Sequence, residues 1–276
     1  MRLFDRKFGP DFLAGVPSAP GVYRLYDAAG ALLYVGKARD LRRRLAQYRT
    51  TRRIKRDRKR RELVRSAERI VWEVCESELD ASLTEIRLIQ ALGPRENIAG
   101  AFPFLYPFVG IHADGPETHF CLTTSPEAFP PFDFHGAFGS REVTGEAFFA
   151  LMRLLRFVGH ASPRRRRDRL TMPRHSHVYT FRRFPPDWPE MWRVLLRGVS
   201  REALEHLCLR LLEHAGARAR GAEIQEDLRA VRRFFDDEAC PLAEAIVATG
   251  YAGYPVPQRD RDALFLHYRD RRSLVN

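Results

Sequence analysis

The stretch LLYVGKARDLRRRLAQY, Leu32–Tyr48, decides how the N-terminal part of the chain is read. Its first half is β-rich and ends in a glycine, and Asp40 then stands where a helix N-cap is expected, with the helix beginning at Leu41. At 100° per residue, Leu41, Leu45 and Tyr48 share one stripe of that helix. Arg42 and Arg43 point away from the stripe, as solvated or nucleic-acid-facing charges do. Arg44 falls at its edge, with its stem against the core and its guanidinium at a rim beside the preceding strand. A bidentate phosphate clamp belongs in such a place. An arginine snorkelling past a hydrophobic edge satisfies the same pattern, so geometry leaves both readings open.

Working outward, GVYRLYD (Gly21–Asp27) and ALLYVG (Ala31–Gly36) form a hairpin across Ala28-Ala29-Gly30. A very basic helix is expected from Lys55 to Glu68, and RIVWEV (Arg69–Val74) supplies a third strand. Ser77 opens a helix that runs to Leu92 and stops at Gly93-Pro94. The expected fold class is α/β (α+β), a three-stranded mixed or antiparallel sheet flanked by helices over residues 1–100. From 101 to 185 a strand-rich extension is expected, with strands in YPFVGIHA and THFCLTT, a helix in GEAFFALMRLLRFV, and a loop in the arginine-rich run SPRRRRDRLTMPRHSH. From 186 to 276 the pattern is helical.

The chain carries 47 Lys and Arg against 35 Asp and Glu, a formal net charge of +12 and a pI near 10.0. Such a balance favours a polyanionic partner, although arginine-rich composition alone also yields basic proteins. No apolar run approaches the roughly 20 residues of a membrane span, so no membrane partner is expected. The N-terminal segment lacks the pattern of an export signal. Cys75, Cys121, Cys208 and Cys240 are far apart and form no CxxC, which argues against structural zinc, iron–sulfur clusters and a disulfide framework and fits a reducing cytoplasm. His175 and His177 make no convincing metal pair and are taken as structural.

Glu85 is the second anomaly. On its helix it has Ala81 at i−4, Leu88 at i+3, Ile89 at i+4 and Leu92 at i+7, so apolar neighbours partly cover it. A carboxylate there is costly unless paired or bound to a metal. An ion pair with an arginine and a divalent cation bridging to phosphate are both open.

Taken in order, Pro20-Gly21-Val22-Tyr23-Arg24, then Tyr34-Val35-Gly36-Lys37-Ala38, Asp40-Leu41, Arg44-Leu45 and Tyr48 resemble the GIY-YIG nucleases of the UvrC and Cho kind. Tyr34 follows Tyr23 by eleven residues, and Glu85 precedes Asn97 of GPREN by twelve, as in that family. The resemblance implies a metal-dependent DNA endonuclease that nicks one strand of damaged duplex DNA in nucleotide excision repair, leaving a 5′ phosphate and a 3′ hydroxyl. It implies that Glu85 holds Mg²⁺ or Mn²⁺, that Arg44 grips a non-bridging oxygen, and that Tyr34 acts as general base with Tyr23 beside it. Lys37 and the metal are both expected to depress the Tyr34 phenol, Gly36 to let backbone and substrate approach, and Tyr48 and Asn97 to support the site by hydrogen bonds. For Tyr23 and Tyr34, cross-strand packing in the hairpin is the plain alternative.

The run Lys37–Arg69 holds sixteen Lys or Arg against four Asp or Glu. Beside the motif it reads as a backbone-tracking surface formed by Lys37, Arg39, Arg42, Arg43, Arg52, Arg53, Lys55, Arg56, Lys59 and Arg60, with Arg164–Arg169 either extending it or lying in a loop. Further on, residues 190–235 resemble the helical hairpin through which UvrC engages UvrB, but the turn is Arg218-Ala219-Arg220-Gly221 where apolar and acidic residues are expected. UvrB is therefore a possible partner with a weakened contact. No second nuclease domain or helix-hairpin-helix segment is seen, which resembles the one-nuclease Cho arrangement. Action on branched or foreign DNA, and a non-catalytic nucleic-acid-binding role, are the competing readings; the intact set Tyr34, Lys37, Arg44, Glu85 and Asn97 argues against the second.

Overall fold

The computed structural model describes residues 1–51, 54–97, 106–162, 172–173 and 175–275, apart from the side chains of Arg56, Leu274 and Val275. Packing divides the chain into two units, Met1–Phe104 with Phe265–Asn276, and Leu105–Leu264.

In the first unit the elements are α1 (Leu3–Phe8), β1 (Gly21–Tyr26), β2 (Leu32–Ala38), α2 (Leu41–Arg49), α3 (Arg58–Ser66), β3 (Arg69–Val74) and α4 (Glu78–Leu92). The sheet order is β2-β1-β3, and both pairings are antiparallel. The hairpin turn is held by the Asp27 carboxylate, which accepts from the backbone N–H of Ala29 at 3.0 Å and of Ala31 at 2.8 Å. Gly30 takes φ +78°, a conformation that a side chain would oppose.

Strand alternation then separates two faces. Tyr23 and Leu25 join Leu41, Leu45 and Tyr48 of α2, Leu63 and Val64 of α3 and Phe4 of α1 in the larger core, while Val22 packs with Cys75 and Ala81 toward α4. Asp40 caps α2 by accepting from Arg43 N–H at 2.8 Å, and Ser77 caps α4 by accepting from Asp80 N–H at 3.0 Å. The basic helix expected from Lys55 instead begins as a 3₁₀ turn over Lys55–Asp57, and α3 ends at Ser66. It stops there because Glu68 is drawn into the sheet, its N–H donating to Tyr26 C=O at 2.8 Å.

β2 is an edge strand, and the residues after α4 close that edge. Glu96 N–H donates to Leu33 C=O at 2.9 Å. The Asn97 amide clamps Val35 from both sides, accepting its N–H and donating to its C=O, each at 2.8 Å. The asparagine side chain thus takes the place of a neighbouring strand's peptide group.

The second unit holds β4 (Phe108–Asp114), β5 (Glu117–Thr123), β6 (Asp133–His135), α5 (Arg141–Val158), β7 (His160–Ala161), β8 (His177–Arg182), α6 (Trp188–Leu196), α7 (Glu202–Glu213), α8 (Ala215–Arg218), α9 (Gly221–Phe234) and α10 (Cys240–Thr249). A final helix, α11, spans Gln258–Val275. The five strands are ordered β6-β4-β5-β8-β7, all antiparallel. β8 begins at His177, the last residue of the run read as a loop; residues 163–171 of that run, with the Arg164–Arg169 cluster, lie outside the described residues.

The helices that resemble a partner-binding hairpin are organised around α5. α9 packs chiefly on α5, burying Ile224, Val231 and Phe234, with Asp227 accepting from Arg153 Nε at 3.0 Å. α7 also meets α5 and buries Ala203, Leu204, Leu207 and Leu211. The Arg-rich turn is anchored locally, Arg218 donating to Leu212 C=O at 2.7 Å.

Replacing Asn97 with Ala leaves both polar groups of Val35 buried without partners, because Val35 is fully covered. At about 1–3 kcal/mol for each orphaned group, the variant is expected to lose about 2–4 kcal/mol of stability in denaturant unfolding. A loss below about 0.5 kcal/mol would show that water replaces the amide at this edge.

Candidate active site

The site begins with an apposition of two residues across β1 and β2. Tyr23 lies directly opposite Gly36 in the antiparallel register, and its side chain crosses the space that a side chain at 36 would fill. A Cβ built at Gly36 would stand 2.5 Å from Tyr23 Oη, 2.6 Å from its Cζ and 2.8 Å from Tyr34 Cε1. Gly36 was expected to make room for backbone and substrate; what it admits is the phenol of Tyr23. This buried ring meets Tyr34 at 6.1 Å and Tyr48 at 5.9 Å between centroids, in tilted and edge-on arrangements.

The hydroxyl of Tyr23 is the centre of the polar network. It is 3.0 Å from Tyr48 Oη and accepts from Arg44 Nε at 3.1 Å. Arg44 Nη1 donates to Gln47 Oε1 at 3.0 Å, and the same oxygen accepts from Arg60 Nη1 at 3.1 Å. Arg60 in turn is bound to Asp57 at 2.6 Å. Arg44 is therefore the half-buried member of its arginine triplet, aimed at the tyrosines, whereas Arg42 and Arg43 are exposed. Gln47 was not foreseen as part of this network. Its signal in the sequence was its position three residues after Arg44 on the same helix, within side-chain reach.

Burial governs the acid–base character of the phenols. It pushes Tyr23 and Tyr34 well above the ordinary tyrosine value and Tyr48 up to about 12, with Arg44 opposing each shift. Tyr34 is further raised by its neighbours Tyr23 and Glu85. The expectation that Lys37 depresses Tyr34 is corrected here. The Lys37 ammonium donates to Ser82 Oγ at 2.6 Å, and its charge acts on Glu85. The cations that do reach Tyr34 are Arg44 and Lys59, whose ammonium lies 5.2 Å from the Tyr34 ring centre.

Glu85 sits on α4, and its Oε1 accepts from the backbone N–H of Lys37 at 3.1 Å. Burial raises its carboxyl above the usual range, offset in order by the Lys37 charge, the Lys37 N–H and Arg44. No side-chain ion pair to Glu85 occurs among the described residues, so the structural ion pair considered for it is absent there. Nor do three or more His, Cys, Asp or Glu side chains gather to hold a metal among the described residues. What remains fits one hard cation of particular habits. Mg²⁺ keeps several waters and is commonly held by one or two carboxylates plus substrate phosphate. A single under-compensated carboxylate, oriented by a backbone N–H, is such a donor.

The basic residues divide by what already holds them. Arg39 pairs with Glu78 at 2.6 Å, Arg42 Nε donates to Val16 C=O at 2.7 Å, and Arg60 is bound as above. Arg43 and Lys55 are exposed, with no ion pair among the described residues, and Lys59 touches Tyr34. Arg52, Arg53 and the side chain of Arg56 lie outside the described residues. His177 packs on Phe149 with ring centres 5.0 Å apart, and His175 has φ +62°.

Comparison with known proteins locates the likeness in this unit. A family model described as a UvrC-like GIY-YIG domain matches residues 19–98. UvrABC system protein C of Proteus mirabilis is 41% identical over 112 residues, covering 41% of this chain and 18% of that protein. The Serratia proteamaculans protein of the same name is 41% identical over 110 residues, covering 40% and 18%. The chain thus matches less than a fifth of the length of these relatives. Among solved structures, the GIY-YIG N-terminal endonuclease domain of UvrC from Thermotoga maritima, bound to magnesium, is 28% identical. That match covers 31% of this chain and 90% of that one, with a TM-score of 0.28. Residues 19–98 are a UvrC-like GIY-YIG domain.

Gly36→Ala is expected to displace the Tyr23 phenol and so break its contacts with Tyr48 and Arg44. Overpacking of this kind costs about 1–3 kcal/mol, measurable by denaturant unfolding. Tyr23→Phe in the same background should not restore full stability, since the ring carbon Cζ is as close as the hydroxyl. Full restoration would mean that only the oxygen is in the way.

Proposed function

We propose that this chain is a metal-dependent DNA endonuclease that hydrolyses one phosphodiester of damaged duplex DNA, with a UvrC- or Cho-like role in nucleotide excision repair. The observation that carries the reading is the convergence of Tyr23, Tyr34, Tyr48 and Arg44 on one polar cluster, with the Glu85 carboxylate within its electrostatic reach.

Cleavage needs an activated water, compensation of growing negative charge on the phosphate, and a stabilised leaving oxygen. Arg44 is assigned the second task. Its Nε is held by Tyr23 and one Nη by Gln47, so the fork is fixed before substrate arrives and needs little reorganisation as charge develops. Tyr34 is assigned the proton of the attacking water. Alone, the protein keeps this phenol neutral, with Arg44 lowering its pKa against burial, Tyr23 and Glu85. Tyr23 and Tyr48 orient Arg44 and Tyr34 as positioning residues. Asn97 acts through Val35 by fixing the strand that carries Tyr34 and Gly36. Lys37 orients Glu85 with its backbone and steadies the carboxylate with its charge. Glu85 would hold Mg²⁺ or Mn²⁺, which supplies Lewis-acid stabilisation of the leaving oxygen when bound.

Arg43 and Lys59 would follow the backbone of the duplex, giving affinity that depends on salt and not on sequence. A UvrB contact, if made, would use a surface other than the faces of α7 and α9 that bury Leu204, Leu207, Leu211, Ile224, Val231 and Phe234 within their own unit. The deciding experiment incubates the protein with an end-labelled duplex bearing one bulky adduct, with and without Mg²⁺ and with and without UvrB. A nick in the adducted strand that requires metal supports the reading. Preference for flaps or branched duplexes would instead favour action on branched or foreign DNA, and binding without cleavage a non-catalytic role.

Glu85→Gln should abolish metal-dependent cleavage while DNA binding stays nearly intact. The same variant should raise Tm by about 1–3 °C at neutral pH in the presence of a chelator, because a carboxylate raised by burial opposes folding when ionised. That gain should shrink as pH falls and Glu85 protonates in the parent protein. Full activity in the variant would remove Glu85 from the site, and a fall in Tm would mark it as a structural partner.

Arg44→Ala should cost on the order of 10²–10³ in rate, as for loss of one preorganised oxyanion donor. Arg43→Ala should act mainly on binding and its salt dependence. Equal effects on kcat would show that the half-buried placement of Arg44 has no catalytic consequence.

A further inference from the structure

A cavity of about 570 Å³ that Tyr48 helps to line lies between α1, the C-terminal end of α2 and α3. Among the described residues its charged lining is Arg2, Arg49, Arg61 and Arg65, with no acidic side chain. The wall behind these heads is apolar and rigid: Phe4 and Tyr48 are each 2% exposed and Val64 is 3% exposed. Thr50 and Thr51 add hydroxyls at the rim.

The four guanidinium groups are not equivalent. Arg49 is oriented by buried Asp5, with Nε 2.7 Å from Oδ1, which fixes the head and offsets its charge. Arg61 is steadied through Nη1 by Ile54 C=O at 2.9 Å. Arg2 and Arg65 are exposed and enter no ion pair among the described residues. The Arg65 backbone is pinned, its C=O accepting from Lys7 Nζ at 2.6 Å, so the base of that side chain is set while its head is available. Two held arginines and two available ones around a dry wall form an anion seat in which most of the ordering precedes binding. Asp5 offsets part of the charge at Arg49, and the like charges of Arg2, Arg61 and Arg65 around the same cavity oppose one another, a cost that a bound anion lowers.

We propose that this cavity seats an internal backbone phosphate of the DNA strand being cut, a few nucleotides from the scissile phosphate. The inference rests on the nuclease reading and extends it to the substrate's position. Tyr48 supplies the link, because its hydroxyl bonds Tyr23 in the cluster while its ring closes the cavity. Arg44 and Arg49 lie on one helix five residues apart, about 140° apart around it at 100° per residue. A strand gripped at Arg44 therefore meets the seat at a further phosphate after passing round α2, and the seat supplies register without reading bases.

The test uses the full chain with the double variant Arg2→Ala/Arg65→Ala, chosen because both side chains are exposed and their loss leaves the apolar wall intact. Arg87→Ala/Arg95→Ala, at exposed positions outside the site, is the charge-matched control. Fluorescence titration of a labelled duplex, repeated over a range of salt, should show Kd rising about tenfold in the test variant and the slope of log K against log salt falling by about 0.9, the share of one phosphate. The control should retain the parent slope. In cleavage assays the loss should fall on KM and not on kcat. A methylphosphonate scanned over the phosphates flanking the cut should, at one internal position, raise KM for the parent enzyme and add little to the variant, since both remove the same contact. If test and control variants behave alike, or the methylphosphonate penalties add in full, the seat is wrong while the nuclease reading stands. If the parent cuts nothing yet the test variant shows the predicted loss of binding and slope, the seat stands and the nuclease reading fails.

Discussion

The first unit depends on the contact between Tyr23 and Gly36. Two antiparallel strands place these residues face to face, and only the absence of a side chain at 36 lets the phenol lie across β2. Once there, its hydroxyl is buried and must find partners, and Tyr48 and Arg44 supply them from α2. That requirement fixes the rotation of α2 as firmly as its apolar stripe does, since Leu41, Leu45 and Tyr48 must face the core while Arg44 reaches the same hydroxyl. A steric vacancy on one strand thereby positions a cation on a helix. The asparagine clamp on Val35 completes the frame by holding the strand that carries the glycine.

The electrostatics of the site are those of charges held with incomplete compensation. Burial raises Glu85 and all three tyrosines, and each shift is only partly offset, Tyr23 and Tyr34 mainly by Arg44, Tyr48 mainly by its hydrogen bond with Tyr23, and Glu85 mainly by Lys37. In a scaffold selected only for stability, an apolar residue at 85 would be less costly. Under the proposed nuclease reading, the arrangement becomes favourable when cationic charge arrives beside Glu85 and phosphate beside Arg44, because each binding event relieves a cost already built into the free protein. Stability and site chemistry are opposed at Glu85 and aligned at Tyr23, whose network serves both.

Much of this was legible in the sequence because local rules and tertiary packing agree there. Asp40 and Ser77 are caps, the stripe Leu41-Leu45-Tyr48 faces the core, and the Gly30 turn follows from its composition. The edge position of Arg44 could be read from helical angles alone. Other features depend on contacts that periodicity does not encode. Lys37 follows Tyr34 closely in sequence, which suggested a partner for the phenol, but strand alternation turns it toward α4 and Glu85. Arg42 reads as a free surface charge, yet the segment before β1 brings Val16 C=O to it. In the second unit, β8 was hidden because its start lies against an arginine-rich run, and β6 because three residues carry too little pattern. The helices resembling a hairpin had suitable lengths and apolar spacing, but such patterns specify a buried face and not the element that buries it. Here α5 does so for α9, while α7 is shared among α5, α6 and α8.

The same reasoning changes what the high net charge means. A count of basic residues between Lys37 and Arg69 suggests a uniformly attractive surface, but the structure assigns many of them to specific partners. Arg39 is matched by Glu78, Arg49 by Asp5, Arg58 by Glu62 and Arg60 by Asp57. Exposed pairs such as Arg39–Glu78 and Arg58–Glu62 contribute little to stability and open readily to a stronger anion. The half-buried Arg60–Asp57 pair, tied also to Gln47, is part of the support for Arg44 and has no such freedom. The charge at the centre of the site is Arg44, held by Tyr23 and Gln47, with the Arg60–Asp57 pair behind it. Under the proposed nuclease reading, how freely each arginine meets a polyanion is set by the partners the fold has already given it.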